Sequence, residues 1–152
     1  AISAIRFIGA ERASASEKFK SALADQNLGC VIICPSNPFL SIDPLLAIPG
    51  ISQILAELEV PVIAVSPVIG GKAVKGPTVK IMQELHLDIT PTTVVNHYQE
   101  FLSGFVLDQE DCALADELAE LIPLKVCNTF MRSLDDRIAL AEECLTFAQD
   151  IG

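Results

Sequence analysis

Short, uninterrupted apolar runs constrain the fold of this chain more than any other feature. Residues 30–34 read CVIIC, residues 60–65 read VPVIAV, and residues 104–108 read GFVLD. Strands buried on both faces give such runs, whereas strands with one solvent-exposed face alternate apolar and polar residues. The first two runs are followed by loops rich in Gly, Pro, Ser and Asn, and then by residues with helical spacing. The sequence therefore predicts a parallel sheet with helices on both faces.

We expect a Rossmann-like, open, mainly parallel α/β sheet of about five strands. AIRFIGA at residues 4–10 predicts the first strand, and LKVCNTF at residues 124–130 predicts the last. Residues 1–152 are expected to form a single α/β region that is part of a larger domain. Ser133 is expected to cap the last helix, with Asp136 at capping-box spacing. The other helices are predicted at residues 14–25, 51–58, 77–85, 90–102 and 109–121.

The charge distribution bears on the partners of the protein. The formal net charge is −10, which argues against nucleic acid, because that binding needs Lys and Arg to neutralise phosphates. No Asp or Glu occurs in residues 60–83, which contain Lys72, Lys75 and Lys80. Such a window indicates local anion binding, with chance as the alternative. No apolar run approaches the roughly 20 residues that a membrane span needs, so no membrane partner is expected.

The five cysteines indicate a reducing environment. Their number is odd, and the sequence contains no CxxC pair and no paired His spacing. Both a disulfide framework and a zinc site are therefore disfavoured. Cys30 and Cys34 are interpreted as small buried hydrophobes in or beside a strand. We expect a cytoplasmic protein.

The loop SPVIGGKAVKGPT, residues 66–78, has several properties of a phosphate-binding loop. It follows a predicted strand and precedes a predicted helix, and its glycines would let the backbone approach an anion closely. It is not a Walker A loop, because Pro77 stands where that pattern needs lysine. The alternative is a glycine-rich connection with solvated lysines. The residues predicted to bind phosphate in this loop are Ser66, Gly70, Gly71, Lys72, Lys75 and Gly76.

A second loop, SNPFLSIDP at residues 36–44, also leaves a predicted strand end. Ligands of open α/β sheets bind beyond the carboxyl ends of the strands, so this loop is expected to join the same site. Ser36, Asn37, Pro38 and Ser41 are its predicted binding residues. The alternative is a purely structural turn, since Asn and Ser before Pro are ordinary turn formers.

Four further polar residues are weaker candidates. His86 and His97 are isolated in sequence and are interpreted as surface or partly buried helix residues rather than as bases or ligands. Asp108 could bind a metal at its strand end, although capping the following helix is the favoured role. Arg132 could reach a phosphate, and an ordinary surface arginine is equally consistent with the sequence. No nucleophile–base pair and no triad is apparent, so catalytic residues are not assigned.

Taken together, the motifs resemble those of the 2-phospho-L-lactate transferase family of deazaflavin coenzyme biosynthesis. The resemblance rests on CPSNPFLSIDPLLAIPGI and PVIAVSPVIGGKAVKGPT, with further agreement in FIGAE, GFVLD and MRSLDDRIALAEECL. It covers essentially the whole chain, which would correspond to the C-terminal half of a family member. One departure is Cys127-Asn128-Thr129, where the family often has Thr-Asp-Thr, so that Asn128 removes a charge.

The resemblance implies a specific reaction in coenzyme F-420 biosynthesis. A 2-phospho-L-lactate or phosphoenolpyruvate-derived group would pass from a guanosine diphosphate adduct to a 7,8-didemethyl-8-hydroxy-5-deazariboflavin acceptor, with release of GMP. Mg²⁺ is implied as cofactor, with no metal ligand assigned in this chain. The chain alone is expected to be inactive. The oligomeric state stays open, a homo-oligomer included.

Two other functions are compatible with the sequence. One is a non-catalytic, nucleotide-sugar-binding regulator of the related gluconeogenesis-factor family. Members of that family lack a clear Ser-Asn-Pro…Ile-Pro-Gly motif and the Lys-x-x-Lys-Gly-Pro loop, and both are present in this chain. The other is a stand-alone half-protein that serves only as a binding or assembly subunit.

Overall fold

The computed structural model describes residues 2–73 and 77–152. Four strands form one parallel sheet in the order β1-β2-β5-β6, and two short strands pair as an antiparallel hairpin. Two parallel strands that are neighbours in the sheet need a connection that crosses back over the sheet. The helices lie in these connections. The strands are β1 (Val31–Ile33), β2 (Val62–Val65), β3 (Val68–Ile69), β4 (Lys72–Ala73), β5 (Gly104–Asp108) and β6 (Leu124–Cys127).

The helices are short, except for the last one. Three of them begin after Ser16, Thr90 and Ser133, whose hydroxyls accept a backbone N–H of the first turn. They are α1 (Glu17–Leu23), α2 (Asp43–Leu46), α3 (Ile51–Ala56), α4 (Thr78–Glu84), α5 (Pro91–Tyr98), α6 (Ala115–Ala119) and α7 (Leu134–Ile151). In addition, 3₁₀ turns span Ala10–Arg12 and Gln109–Leu114, and a π-helical turn spans Pro38–Ile42.

The sheet separates two apolar clusters, which explains the uninterrupted runs in the sequence. Val62 and Ala64 of β2 point into the larger cluster, with helices α3 to α6. Ile63 and Val65 point into the smaller one, under α7. All five residues of β5 are buried. The α/β architecture with helices on both faces is therefore confirmed. Among the described residues, no helix is both long enough and apolar enough to cross a membrane.

The predicted first strand is wrong, so the parallel sheet has four strands instead of about five. Residues 2–9 form no strand. Ile2 and Ile5 instead pack against the larger cluster, while Ile8 is 96% exposed. The Ile2 N–H donates to Glu84 on α4 at 2.8 Å. Ile2 and Ile5 are thus partly buried without forming a strand. The composition of an apolar segment alone does not distinguish a strand from an irregular segment that packs against the core.

Two smaller predictions also need correction. The predicted helix at residues 109–121 is a 3₁₀ turn followed by the short α6, because Asp108 ties the start of this segment to the sheet. Cys34 is exposed rather than buried, since β1 ends at Ile33, and Cys30 is partly exposed. Cys144 on α7 is the buried cysteine, and burial raises the pKa of its thiol to about 11.

Candidate functional site

The loops that follow β1 and β2 meet in one cleft of about 280 Å³. The two strands are parallel neighbours, so their carboxyl ends lie at the same edge of the sheet. The structure thus brings together Ser36, Asn37 and Ser41, three of the four residues predicted in the 36–44 loop. The cleft is lined by Pro35, Ser36, Asn37, Leu40 and Ser41 at the end of β1, and by Pro67, Pro77 and Thr78 from the 66–78 loop.

Asn37 has both a structural contact and a remaining donor. Its Oδ1 accepts the backbone N–H of Leu40 at 3.0 Å, which caps the π-helical turn, and Pro38 is buried at the start of that turn. Its Nδ2 is buried and has no hydrogen-bond partner among the described residues. A buried amide nitrogen without an acceptor costs free energy, and such a group in a side chain that lines a cleft calls for an explanation.

Ser66, predicted to bind phosphate, does not line the cleft. The side chain is fully buried, and its hydroxyl donates to the Val68 carbonyl at 2.7 Å. The same oxygen accepts the Val68 N–H at 3.2 Å. Ser66 therefore shapes the turn that leads from β2 into the hairpin. Thr78, at the other end of this loop, is also buried but does line the cleft.

Gly70 and Gly71 form the two-residue turn between β3 and β4. Their φ angles are 55° and 70°, and a type I′ hairpin needs positive φ at both positions. The Gly70 N–H donates to both carboxylate oxygens of Asp111, at 3.0 and 3.1 Å. The Asp111 carboxylate thus accepts the hydrogen bond of the Gly70 N–H, which the sequence predicts to bind phosphate. Lys72 is exposed on the hairpin. Lys75 and Gly76 lie outside the described residues.

Asp111 was not predicted from the sequence, and the role favoured for Asp108 is confirmed. Asp108 Oδ1 accepts the Glu110 N–H at 2.9 Å, as a cap does. Its Oδ2 accepts the Thr129 N–H at 2.8 Å and the Thr129 hydroxyl at 2.7 Å. Asp111, which is also buried, follows three residues later. Its position just past a strand end was the signal that could have identified it.

The described residues do not supply a ready metal site. Within residues 2–73 and 77–152, no group of three His, Cys, Asp or Glu side chains is arranged to hold an ion. Asp108, the one metal candidate of the sequence, has both oxygens engaged in hydrogen bonds. Mg²⁺ in phosphoryl-transfer sites is commonly held by one or two carboxylates, substrate phosphates and water.

His97 is at the surface, as predicted, but it is not isolated. Its side chain is 29% exposed, and its Nε2 lies 2.7 Å from Asp43 Oδ1. Its ring packs edge-on against Phe39 and Tyr98. Burial, and to a lesser extent the Asp43 carboxylate, raises the pKa of the Tyr98 hydroxyl.

His86 and Arg132 do not line the cleft. His86 is exposed and has a φ of 58° in the turn that ends α4. The Arg132 guanidinium lies 4.8 Å from the centroid of the Phe130 ring. Its backbone N–H donates to Asp136, within the capping box that Ser133 and Asp136 form as predicted.

A parallel sheet with helices on both faces and a polar cleft at its strand ends places the chain among the open α/β proteins, whose ligands commonly bind at this edge. Within that class, the family model described as 2-phospho-L-lactate transferase CofD matches residues 1–120. The chain belongs to this family.

Individual relatives have two different names. A 2-phospho-L-lactate transferase from Methanocaldococcus jannaschii is 36% identical over 130 residues, which are 84% of this chain and 40% of the relative. One from Methanosarcina acetivorans is 40% identical over 138 residues, 88% of this chain and 43% of the relative. A phosphoenolpyruvate transferase from Streptomyces griseus is 31% identical over 146 residues, 95% of this chain and 45% of the relative. The chain therefore spans less than half the length of these relatives.

Proposed function

We propose that this chain contributes the donor-nucleotide site of a transferase. The donor is a guanosine diphosphate adduct of 2-phospho-L-lactate or of a phosphoenolpyruvate-derived group. The acceptor is 7,8-didemethyl-8-hydroxy-5-deazariboflavin, and GMP leaves, as in coenzyme F-420 biosynthesis. The observation that carries the proposal is the buried Asn37 Nδ2, which has no hydrogen-bond partner among the described residues and belongs to a residue that lines the cleft between the two family motifs.

The chemistry of the cleft supports a phosphorylated ligand. Ser36, Ser41 and Thr78 add hydroxyl groups beside the Asn37 amide. Lys72 is exposed on the neighbouring hairpin, and no acidic residue occurs in residues 60–83. Uncharged donors close to the ligand and a cation on the neighbouring hairpin are suited to a diphosphate, which offers only acceptors.

The volume of the cleft supports a partial site. Pockets that enclose a whole drug-sized ligand usually measure about 300–1,000 Å³. A cleft of about 280 Å³ lies near the lower end of this range, which is consistent with a site that binds part of a nucleotide donor. Because the relatives are more than twice as long as this chain, we propose that the acceptor and the reacting groups are bound mainly by residues outside it.

The proposed role of these residues is to hold the donor. Phosphoryl transfer depends mainly on positioning and charge neutralisation, with little covalent work for the protein. Asn37 would orient a phosphate or base oxygen, and the hydroxyl groups and Lys72 would hold the remaining phosphate oxygens. The proposed reaction requires Mg²⁺. Since the described residues form no cage for the ion, no step is assigned to it.

The transferred group is a small phosphorylated acid in either case. The names of the relatives divide between 2-phospho-L-lactate and phosphoenolpyruvate. The two groups differ in the three-carbon part, which would project away from the nucleotide. A site for the guanosine diphosphate portion therefore serves both donors equally well, and this chain needs no distinguishing residue for that purpose.

The experiment that tests the proposal replaces Asn37 by an isosteric residue. Asn37→Asp keeps an oxygen that can cap the π-helical turn, and it removes the Nδ2 donor. Losing a hydrogen bond to a charged phosphate costs about 1.5–3 kcal/mol, so GDP affinity should fall roughly ten-fold or more in calorimetric titrations. Asn96→Asp, an exposed position on α5, is the matched control for the added charge. Equal GDP affinity of Asn37→Asp and the control would refute the assigned role.

A further inference from the structure

His97 contacts the 36–44 loop of the cleft at two points. Its Nε2 and Asp43 Oδ1 form a hydrogen bond of 2.7 Å between residues that are 54 positions apart in sequence. Its ring packs edge-on against the Phe39 ring, with centroids 5.2 Å apart. Phe39 is buried in the larger apolar cluster, so the ring contact is anchored to the core. His97 thereby joins helix α5 to this loop through both a hydrogen bond and a ring contact.

The two contacts of His97 flank the part of the loop that faces the cleft. Phe39 lies near the start of the π-helical turn Pro38–Ile42, and Asp43 follows its end. Between them, Leu40 and Ser41 line the cleft. The Leu40 N–H also donates to Asn37 Oδ1, so the orientation of the Asn37 amide depends on where the turn lies.

The turn needs support from outside its own backbone. π-Helical turns are rare and are found mostly as single turns at functional sites. This one has five residues and runs directly into α2, which has four. Elements this short have little intrinsic stability, so contacts with neighbouring elements determine their conformation.

We propose that His97 is a positioning residue for the nucleotide site, which holds the 37–43 segment so that Asn37 and Ser41 face the ligand. The inference rests on the proposed function and adds His97, which contacts the loop but does not line the cleft. Removing His97 lets the segment sample other conformations. If the competent fraction falls to about one fifth, the apparent Kd for GDP rises about five-fold.

Four variants separate the hydrogen bond of His97 from its ring packing. His97→Phe keeps an aromatic ring beside Phe39 and removes the hydrogen bond. His97→Gln keeps an N–H donor that can reach Asp43 and should restore part of the GDP affinity. Asp43→Ala removes the acceptor, and combining it with His97→Phe should add little further loss, because the two residues form one interaction. His86→Asn, which replaces the other histidine of the chain, controls for loss of an imidazole.

Two readouts keep this inference distinct from the proposed function. The first is calorimetric titration with GDP, and the second is amide hydrogen exchange in the ligand-free chain. We expect His97→Phe to bind GDP about five-fold more weakly and to exchange faster at residues 38–46, with a urea midpoint close to that of the His86→Asn control.

Each outcome of these experiments is decisive. If the unsubstituted chain binds GDP and His97→Phe binds it equally well, the positioning role is refuted while the nucleotide site stands. If the unsubstituted chain does not bind GDP, the proposed function fails, and hydrogen exchange then decides the conformational claim. Unchanged exchange at residues 38–46 overturns that claim, whereas faster exchange confined to this segment supports it.

Discussion

Asp108 offers the sharpest test of how the carboxyl edge of the sheet is held together. Its side chain is 2% exposed and accepts three hydrogen bonds, one from Glu110 and two from Thr129. Thr129 follows β6 and is 21 residues away in sequence, so Asp108 joins the ends of two neighbouring strands. We expect Asp108→Asn to destabilise the fold without changing the affinity for GDP.

The size of the effect follows from the hydrogen bonds. An asparagine can still accept the Glu110 N–H through its oxygen, but its NH₂ group would then face the Thr129 N–H and hydroxyl. Hydrogen bonds to a charged group contribute about 1.5–3 kcal/mol each, and Thr129 would retain a buried N–H without an acceptor. We therefore expect a loss of about 3 kcal/mol in the free energy of unfolding. Thr129→Val removes only the hydroxyl bond and should cost about half as much, roughly 1.5 kcal/mol.

Urea unfolding followed by circular dichroism measures both variants. The expected result is a clear order, with Asp108→Asn less stable than Thr129→Val and the slope of the transition unchanged. A loss below about 1 kcal/mol for Asp108→Asn would refute the view that this carboxylate has a structural role. A large loss of GDP affinity with little loss of stability would instead favour the ligand role that the sequence left open.

Three further predictions concern other parts of the chain. His86→Gly should stabilise the fold by about 0.5–1 kcal/mol in urea unfolding, since glycine accepts the positive φ of 58° at the end of α4 without strain; a loss of stability would contradict this. In mass-spectrometric alkylation at pH 8, exposed Cys34 should react well before Cys144, whose thiol has a pKa of about 11; equal rates would contradict the packing of α7. Backbone N–H groups of Arg132 and Ser133 lower the pKa of Asp136, so its contribution to stability should be complete above its ordinary pKa and be lost as the pH falls through the lowered one; an NMR titration showing no lowering would contradict this.

The elements that could be predicted from the sequence are those with a strong local signal. GFVLD matches β5 residue for residue, because five buried residues in a row leave little choice of structure. The capping box of α7 was equally clear, since Ser133 and Asp136 make their contacts within one turn. The loop after β1 was placed correctly because the carboxyl end of a buried strand fixes where its loop lies.

The remaining features depend on contacts between residues that are distant in sequence. AIRFIGA was expected to be a strand, but its Ile5 packs against the larger apolar cluster, whose residues lie far along the chain, and its Ile8 is exposed. Asp111 reaches Gly70 across 41 residues, and His97 reaches Asp43 across 54. The hairpin of β3 and β4 had a local signal that was overlooked, since Gly-Gly between short apolar strands is typical of a type I′ turn.

The central claim is that the cleft binds the diphosphate of a guanosine-linked donor. Titrating GDP into the ¹⁵N-labelled chain and following its amide resonances tests this most directly. We expect saturable shifts at Ser36, Asn37, Leu40, Ser41 and Thr78, with α7 unaffected. Shifts spread over other surfaces, or no shifts at millimolar GDP, would contradict it.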